Sequence, residues 1–414
     1  MTTMNVSTPH ESLSADLADP VSSFHPVVDP ELNLLLTVAA PQRCANGDVG
    51  QLIPADFDWE RFADMADWHG LAPRAYALLR QQPNLVPQNI MDRLHDKASA
   101  SAAMALHLAG QLIALSSRFR AEHISHIVYK GPLLASMLYG NLALRVSSDL
   151  DIVVPKAELD RARSTLAGMG FVDKHGLSEK QQTAAFRFGC EHSFWSPQTG
   201  TTVDLHWRIF PRFVSPSLGM DSLFGRVIDA PMFDASLPTF CPEDLLLVLC
   251  LHAAQHDWAH LGLFTDIVQL LRKYPALDWR AFEASLRDWN TRRMVHVSLT
   301  LAQSWEADLP ASIVESMTAD RELAHLADKV RRRFWPSRFN PLPKDADIKW
   351  LAERTKGEPV IDRLRWMTGF AFNPTLIDYV VFDLPSSVAG FYPVLRALRL
   401  ALKRTGLVQM KQGS

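Results

Sequence analysis

Apolar and polar residues follow two different periods along the chain, and the change of period divides it into regions. Between residues 29 and 122 the apolar positions recur at steps of three and four, most regularly from Pro87 to Glu122, which is typical of amphipathic helices. Asp29 followed by Pro30 is a helix start signal, because an aspartate caps the first turn and proline needs no amide hydrogen there. The pattern therefore predicts an N-terminal helical region over 29–122.

The pattern changes at His123, where short β-rich runs alternate with segments of helical spacing. A β-rich run, a helix and a second β-rich run predict a β-α-β unit, and a turn-forming quartet farther on predicts a hairpin of two more strands. The predicted strands are 124–129, 149–154, 186–195 and 201–209, and the predicted helices are 131–139 and 156–169. We therefore expect an α/β (α+β) core with a mixed sheet over 123–235.

The remaining regions differ in composition. Residues 236–335 show helical spacing again and predict a helical domain packed on the core. Residues 336–414 are rich in proline and are expected to form an extension that ends in a basic amphipathic helix over 392–404. Residues 1–28 are rich in serine, threonine, proline and aspartate and predict a disordered tail.

Composition narrows the classes of function. The 414 residues carry a net charge of −3, so the chain lacks the broad positive field that holds polyanions and gives no strong evidence for a nucleic-acid partner. The four cysteines show no CxxC spacing, which argues against a zinc knuckle or a disulfide framework. The longest apolar run, 245–251, is too short to cross a bilayer, and no lysine or arginine precedes Arg43. We expect a soluble, cytoplasmic protein with no transmembrane segment.

Three aspartates form the strongest chemical pattern. Asp149 and Asp151 are two positions apart in a predicted strand, so both side chains face the same side of the sheet. Asp204 lies on the polar face of a later strand, where polar and apolar residues alternate. Neighbouring carboxylates repel each other unless a cation lies between them, and Mg²⁺ prefers oxygen ligands. We therefore expect a Mg²⁺ site at this face.

A second pattern indicates a phosphate-bearing ligand. Lys130 and Gly131 stand between a predicted strand and a predicted helix, where glycine permits close approach and the free amides of the first turn attract anions. Arg145, Ser147 and Ser148 precede Asp149 and could donate hydrogen bonds to the same anion.

These motifs together resemble the uncharacterised nucleotidyltransferase family of the polymerase-β-like superfold, over roughly residues 55 to 335. The resemblance rests on Lys130-Gly131, on Asp149-Leu150-Asp151 and on Val203-Asp204-Leu205. The superfold places a glycine turn at a helix start, a pair of acidic residues on the next strand and a third on a later strand. Gly131, Asp149, Asp151 and Asp204 match those positions. The fold expected from the resemblance is a nucleotidyltransferase core between helical regions.

The resemblance implies a reaction. Asp149 and Asp151 would hold two Mg²⁺ ions on a nucleoside triphosphate, which we expect to be ATP, and Asp204 would act near the acceptor hydroxyl. A nucleoside monophosphate would pass to that hydroxyl and pyrophosphate would leave. Pro132 stands where the superfold usually has a small polar residue, so phosphate binding is expected to depend on Lys130, Arg145 and Ser148. The acceptor, a small molecule or a protein, is not identified by the sequence.

Other interpretations stay open. The same pocket could belong to a catalytically silent module that binds a nucleotide or docks a partner in a biosynthetic operon, and a paired aspartate also occurs in metal-dependent glycosyltransferases. His252 and His256 are spaced to bind zinc or to pack against the core, and packing is favoured because no third ligand is evident. The basic helix 392–404 suits either contact with a membrane surface or a protein, or docking on the chain itself.

Overall fold

The computed structural model of the chain describes residues 29–40, 49–82, 84–215, 219–303, 305, 307–336, 355–356 and 358–404. The tail predicted over 1–28 lies outside the described residues, as does most of the proline-rich segment 337–357. Within the described part, helices surround one mixed sheet, which is the α/β (α+β) architecture that the sequence predicts.

Four helices precede the sheet. Asp29 caps the first of them as predicted, because its Oδ1 accepts a hydrogen bond of 3.0 Å from the amide of Leu32. Asp58 caps the second in the same way, with the amide of Arg61 at 2.9 Å. The helices are α1 (Pro30–Ala39), α2 (Trp59–Trp68), α3 (Ala72–Leu79) and α4 (Gln88–Ala121).

Helix α4 is the one helix among the described residues whose length and composition would allow it to cross a membrane. Only 28% of its most apolar stretch is buried in the protein. A single helix of this kind is weak evidence for a membrane span, because core helices of water-soluble proteins have the same length and composition. The cytoplasmic location stays a prediction.

The central sheet has five strands in the order β1-β2-β5-β4-β3. β2 runs parallel to β5, and the other neighbouring pairs are antiparallel. The strands are β1 (Ile127–Val128), β2 (Leu150–Val153), β3 (Val172–Asp173), β4 (Glu191–Trp195) and β5 (Thr202–His206). Three helices lie between them in the chain: α5 (Gly131–Tyr139), α6 (Leu159–Gly168) and α7 (Glu179–Phe188).

Two elements differ from the sequence prediction. Residues 179–188 form helix α7, whereas 186–195 were expected to be a strand throughout; a capping box between Ser178 and Gln181 starts the helix. After α8 (Met220–Phe224), the chain forms an unpredicted hairpin of β6 (Ile228–Met232) and β7 (Ala235–Thr239). Pro231 and Pro238 conceal these strands in the sequence, since proline is uncommon in strands. The hairpin crosses the domain boundary expected at 235, and the boundaries themselves stay predictions.

Helices follow the hairpin to the end of the described chain. They are α9 (Pro242–Gln255), α10 (Leu261–Lys273), α11 (Trp279–Trp289), α12 (Arg292–Gln303), α13 (Ala311–Thr318), α14 (Arg321–Phe334), α15 (Val360–Phe372), α16 (Leu376–Val381) and α17 (Tyr392–Arg404). One cluster of buried apolar side chains runs from Leu32 in α1 through Ile152 in β2 to Trp335 after α14. The sheet and the helices on both sides of it in sequence therefore share a core.

The C-terminal helices pack on α7 through a second, smaller cluster, to which Tyr379 and Tyr392 belong. Arg396 and Arg399, two of the basic residues of α17, face inward and form ion pairs with the buried carboxylate of Asp378. Part of the positive charge of α17 is thus used within the chain, as expected of a docked helix. Contact of α17 with a membrane or a protein stays a prediction.

Candidate active site

The parallel pairing of β2 with β5 brings the three aspartates together. Asp151 lies directly opposite Asp204 in the register of the two strands, and Asp149 stands one residue before β2. All three line one cavity of about 560 Å³. The cavity is also lined by Lys130, Gly131, Arg145, Ser147 and Ser148, so the structure gathers every site residue that the sequence predicts around one space.

Asp151 is the most heavily bonded of the three carboxylates. Its Oδ1 lies 3.1 Å from Lys130 Nζ, 3.0 Å from His206 Nε2 and 3.5 Å from Tyr129 Oη. Burial alone would raise the pKa of Asp151, but the charges of Lys130 and His206 and the hydrogen bond from His206 hold it far below its usual range. Asp151 is therefore ionised at any physiological pH.

His206 lies between two carboxylates. Besides Asp151, its Nδ1 forms an ion pair of 3.0 Å with Oε2 of Glu191, the residue opposite it on β4. Burial favours the neutral imidazole, but the charge of Glu191 and the hydrogen bond and charge of Asp151 outweigh it and raise the pKa of His206 to about 9. The imidazole is therefore a cation near neutral pH.

The carboxyl groups of Asp149 and Asp204 have raised pKa values, in contrast to Asp151. Burial and the negative charges of Asp151 and Asp204 raise the pKa of Asp149 to about 6. Burial also raises the pKa of Asp204, even though hydrogen bonding with Ser193 acts in the opposite direction. Asp204 Oδ1 is buried and has no hydrogen-bond partner among the described residues. Buried carboxylate oxygens are normally paired, so this one has spare capacity to bind a ligand.

The start of α5 forms part of the cavity wall. Gly131 has φ +60°, a conformation that costs side-chain-bearing residues strain, and a Cβ at this position would lie 3.4 Å from the carbonyl oxygen of Asp149. The first turn of the helix thus approaches the carboxylate loop closely. Free amides at such a turn attract anions, although Pro132 contributes none. Lys130 lines the same wall, with its Nζ 4.8 Å from the centre of the Tyr129 ring.

Arg145 has a fixed partner that the sequence did not reveal. Its Nε donates to Asp266 Oδ2 at 2.9 Å, its Nη1 donates to Ser147 Oγ at 3.2 Å, and Tyr139 Oη donates to Asp266 Oδ1 at 2.6 Å. These contacts orient the guanidinium and Ser147 at the edge of the cavity. A direct contact between Arg145 and a phosphate stays a prediction.

His252 in α9 and His256, directly after the helix, also line the cavity. His252 and His256 face each other edge to face with ring centroids 4.6 Å apart. Burial and the nearby charge of Lys130 lower the pKa of both, so they are neutral and add no charge. Packing against the core, the favoured interpretation of their spacing, stays a prediction.

The donor set fits a divalent cation. Four carboxylates, those of Asp149, Asp151, Glu191 and Asp204, face three cations, Lys130, His206 and Arg145. Arg145 is paired with Asp266 outside this cavity, so negative charge is in excess. Hard oxygen ligands, surplus charge and the unpaired Oδ1 of Asp204 are what Mg²⁺ requires. In the described part of the chain, no three His, Cys, Asp or Glu side chains form a ready-made metal cluster.

Sequence analysis missed Glu191. Glu191 occupies the same face of β4 as Ser193, two positions on, and the antiparallel register places these residues opposite His206 and Asp204. The alternation of polar residues in β4 was the available signal. It was concealed because the strand was expected to begin at 186.

Both a family model and solved structures match the chain. Residues 55–306 match the model of a family described as uncharacterised nucleotidyltransferase. Among solved structures, an antigenic nucleotidyltransferase-like protein from Paracoccidioides brasiliensis is similar over 50% of this chain and 96% of its own, with 16% identity and a TM-score of 0.30. No curated protein matches the chain.

Proposed function

The chain belongs to the uncharacterised nucleotidyltransferase family, and from this premise we propose that it catalyses nucleotidyl transfer. A nucleoside monophosphate passes from a nucleoside triphosphate, which we expect to be ATP, to the hydroxyl group of an acceptor, and pyrophosphate leaves. The observation that carries the proposal is the pairing of Asp151 with Asp204 beside the start of α5, in a cavity large enough for a nucleotide.

Lys130 and the first turn of α5 bind the triphosphate. The Lys130 ammonium and the amide groups of the helix start attract phosphate oxygens, and the dipole of α5 favours negative charge at this end. The positive φ of Gly131 lets the backbone turn within contact of the Asp149 carbonyl. Ser147 and Ser148 supply further hydroxyl donors in the same cavity.

In our proposal, the carboxylates of Asp149, Asp151 and Asp204 would hold two Mg²⁺ ions. When bound, Mg²⁺ neutralises charge on the phosphates and lowers the pKa of the acceptor hydroxyl. Lys130 and His206 keep Asp151 ionised and fix its orientation. The raised pKa of Asp204 suits it to accept the proton of the acceptor hydroxyl as that oxygen attacks the α-phosphorus. The bond between the α-phosphorus and the bridging oxygen breaks, and the electron pair leaves with pyrophosphate.

The reaction is tested by incubating the purified protein with each labelled nucleoside triphosphate, Mg²⁺ and a cell extract. We expect label to appear on an acceptor and to be lost in the double variant Asp149→Asn, Asp151→Asn. Asp160→Asn is the control, since the Asp160 side chain is 91% exposed on α6. Transfer that persists in the double variant contradicts the roles of these carboxylates.

A silent nucleotide-binding or partner-docking module is the second candidate. It is favoured by the ion pairs of Asp151 with Lys130 and His206, which neutralise that carboxylate without a metal. In this case ATP binds to the purified protein, but no label moves to any acceptor or to pyrophosphate. Measuring ATP binding and pyrophosphate release on the same preparation separates the two functions.

A further inference from the structure

A second cavity of about 300 Å³ adjoins the candidate active site. It lies between the turn that joins α2 to α3 and the start of α10, and its wall includes Trp68, Arg74, Tyr139 and Leu263. Arg145 and Val146 line both cavities, so the two spaces share a wall. Neither the sequence patterns nor the comparisons assign this cavity a role.

The walls of the second cavity are held by close backbone packing. The amide of Gly262 donates to the carbonyl oxygen of His69 at 3.1 Å, and a Cβ on Gly262 would lie only 2.7 Å from that oxygen. His69 Nδ1 accepts from the amide of Leu261 and its Nε2 lies 3.0 Å from the carbonyl oxygen of Trp335, which fixes a neutral tautomer. The turn between α2 and α3 and the start of α10, which flank the cavity, are therefore packed directly on each other.

Three of the four carboxylate and guanidinium groups that line the cavity have an ion-pair partner. Arg145 is neutralised by Asp266, and Asp67 by Lys97 at 2.8 Å. Burial lowers the pKa of His69 to about 3 and also lowers that of His260, so the histidines carry no charge. Arg74 is the residue that forms no ion pair with a carboxylate of the described chain.

Arg74 and Trp68 also have unused hydrogen-bond donors. The Arg74 guanidinium lies 4.9 Å from the centre of the Tyr139 ring, and its Nη2 donates to the carbonyl oxygen of Ala39. Its Nη1 and the Nε1 of Trp68 are buried and have no acceptor among the described residues. A wall with an uncompensated guanidinium and aromatic rings suits a ligand with a carboxylate and a flat apolar body.

The size of the cavity limits the ligand to a small molecule. A volume of about 300 Å³ is at the lower end of the range for small-molecule sites, roughly 300–1,000 Å³, and is little more than half that of the neighbouring cavity. Val146, in the shared wall, is three residues from Asp149, a stretch of chain that spans at most about 11 Å. Only a short stretch of chain therefore separates the shared wall from the carboxylates.

We propose that this second cavity binds the acceptor of the transfer reaction and that the acceptor is a small hydroxyaryl carboxylic acid. The proposal rests on the proposed function, which it makes more specific. The carboxylate contacts Arg74, the ring lies against Trp68 and Tyr139, and the hydroxyl group points past Val146. The hydroxyl oxygen forms a bond to the α-phosphorus, its proton passes to Asp204, and the bond to the bridging oxygen breaks with release of pyrophosphate.

Isothermal titration with two probes, 4-hydroxybenzoate and 3-(4-hydroxyphenyl)propanoate, tests the acceptor site without ATP. We expect at least one acid to bind, and its neutral amide to bind at least ~10-fold more weakly, because a charge-assisted hydrogen bond is lost. Arg74→Gln is expected to weaken binding of the acid by a similar factor and to remove the difference in affinity between the acid and its amide. Arg74→Lys retains the charge, so its affinity for the acid is expected to lie between those of the unsubstituted protein and Arg74→Gln. Arg80→Gln is the matched control, since Arg80 lies against Tyr76 and lines neither cavity.

The proposal is overturned if neither acid binds, if acid and amide bind equally well, or if Arg74→Gln binds the acid like the unsubstituted protein. Should Arg74→Gln fail to fold, the comparison of acid with amide and the Arg74→Lys variant still decide the question. A separate titration with ATP and Mg²⁺ reports on the proposed function alone. Failure of the acceptor site and failure of nucleotide binding therefore give different results.

Discussion

Asp151 and Asp204 lie opposite each other on the two parallel strands of the sheet, yet their environments differ sharply. Asp151 Oδ1 has three donors within 3.5 Å, whereas Asp204 Oδ1 is buried with no partner in the described chain. The pKa of Asp151 is depressed and that of Asp204 is raised. One carboxylate is thus fixed as an anion, and the other is available to a cation or a proton, a division of roles that suits group transfer.

Asp204→Asn is expected to stabilise the fold. Removing the charge relieves repulsion between Asp204 and Asp151, so we expect the free energy of unfolding at pH 7 to rise by about 1 kcal/mol. Denaturation with urea at pH 7 measures the change. A loss of stability would indicate that the Asp204 carboxylate has a partner in solution that offsets its charge.

The pKa of Asp149 predicts acid inhibition of nucleotide binding. Since this pKa is about 6, a cation must displace a proton at pH 5 but not at pH 7.5. We expect the affinity for ATP with Mg²⁺ to increase between these values and then to level off. Asp149→Asn should bind more weakly and should lose most of this pH dependence. A profile that is identical in the two proteins would exclude Asp149 as the titrating group.

The ion pairs of His206 predict a loss of stability at alkaline pH. Its pKa of about 9 in the folded chain exceeds the ordinary value of 6.5, so the stabilisation is fully present below pH 6.5 and is lost as the pH rises through 9. Glu191→Gln should move this loss to lower pH, because one of the two carboxylates that raise the pKa is removed. Urea denaturation from pH 6 to 10 compares the proteins, with His206→Gln as the variant that lacks the titration. Equal pH dependence in all three would contradict the role of His206.

Two glycines at opposite ends of α5 provide a matched pair of substitutions. Gly131 and Gly140 have φ of +60° and +63°, so alanine at either position should cost about 1–2 kcal/mol of stability. A Cβ at Gly131 would lie 3.4 Å from the Asp149 carbonyl, whereas nothing lies within 4 Å of one at Gly140. We expect Gly131→Ala alone to weaken ATP binding in addition to stability. Titration with ATP and thermal unfolding of both variants check this, and equal ATP affinities would contradict a role for the start of α5 in binding phosphate.

Much of the site could be predicted because its signals are local. The alternation of residues in β2 and β5 placed the aspartates on one face, and the sequence around Gly131 predicted the bounds of α5 that the structure shows. The aspartate caps of α1 and α2 were equally visible, because capping depends on a few neighbouring residues.

Features that depend on distant contacts could not be predicted. The partner of Arg145 is Asp266, 121 residues away, and neither side chain carries a local sign of the ion pair. The second cavity also could not be predicted, because its walls come from α2, α3, α5 and α10, which are far apart in the chain. The hairpin of β6 and β7 was missed for the opposite reason, since its prolines oppose a strand locally and tertiary packing outweighs them.

Binding of Mn²⁺ in the presence of ATP, measured by electron paramagnetic resonance of the free ion, tests the central claim most directly. The account predicts that Asp149→Asn, Asp151→Asn and Asp204→Asn each weaken Mn²⁺ binding at least ~10-fold, while Asp160→Asn, at an exposed position of α6, has no effect. Mn²⁺ serves as a probe because it accepts the same oxygen ligands as Mg²⁺. Unchanged Mn²⁺ affinity in all three variants, in protein that is folded by circular dichroism, would contradict a shared cation site at these carboxylates.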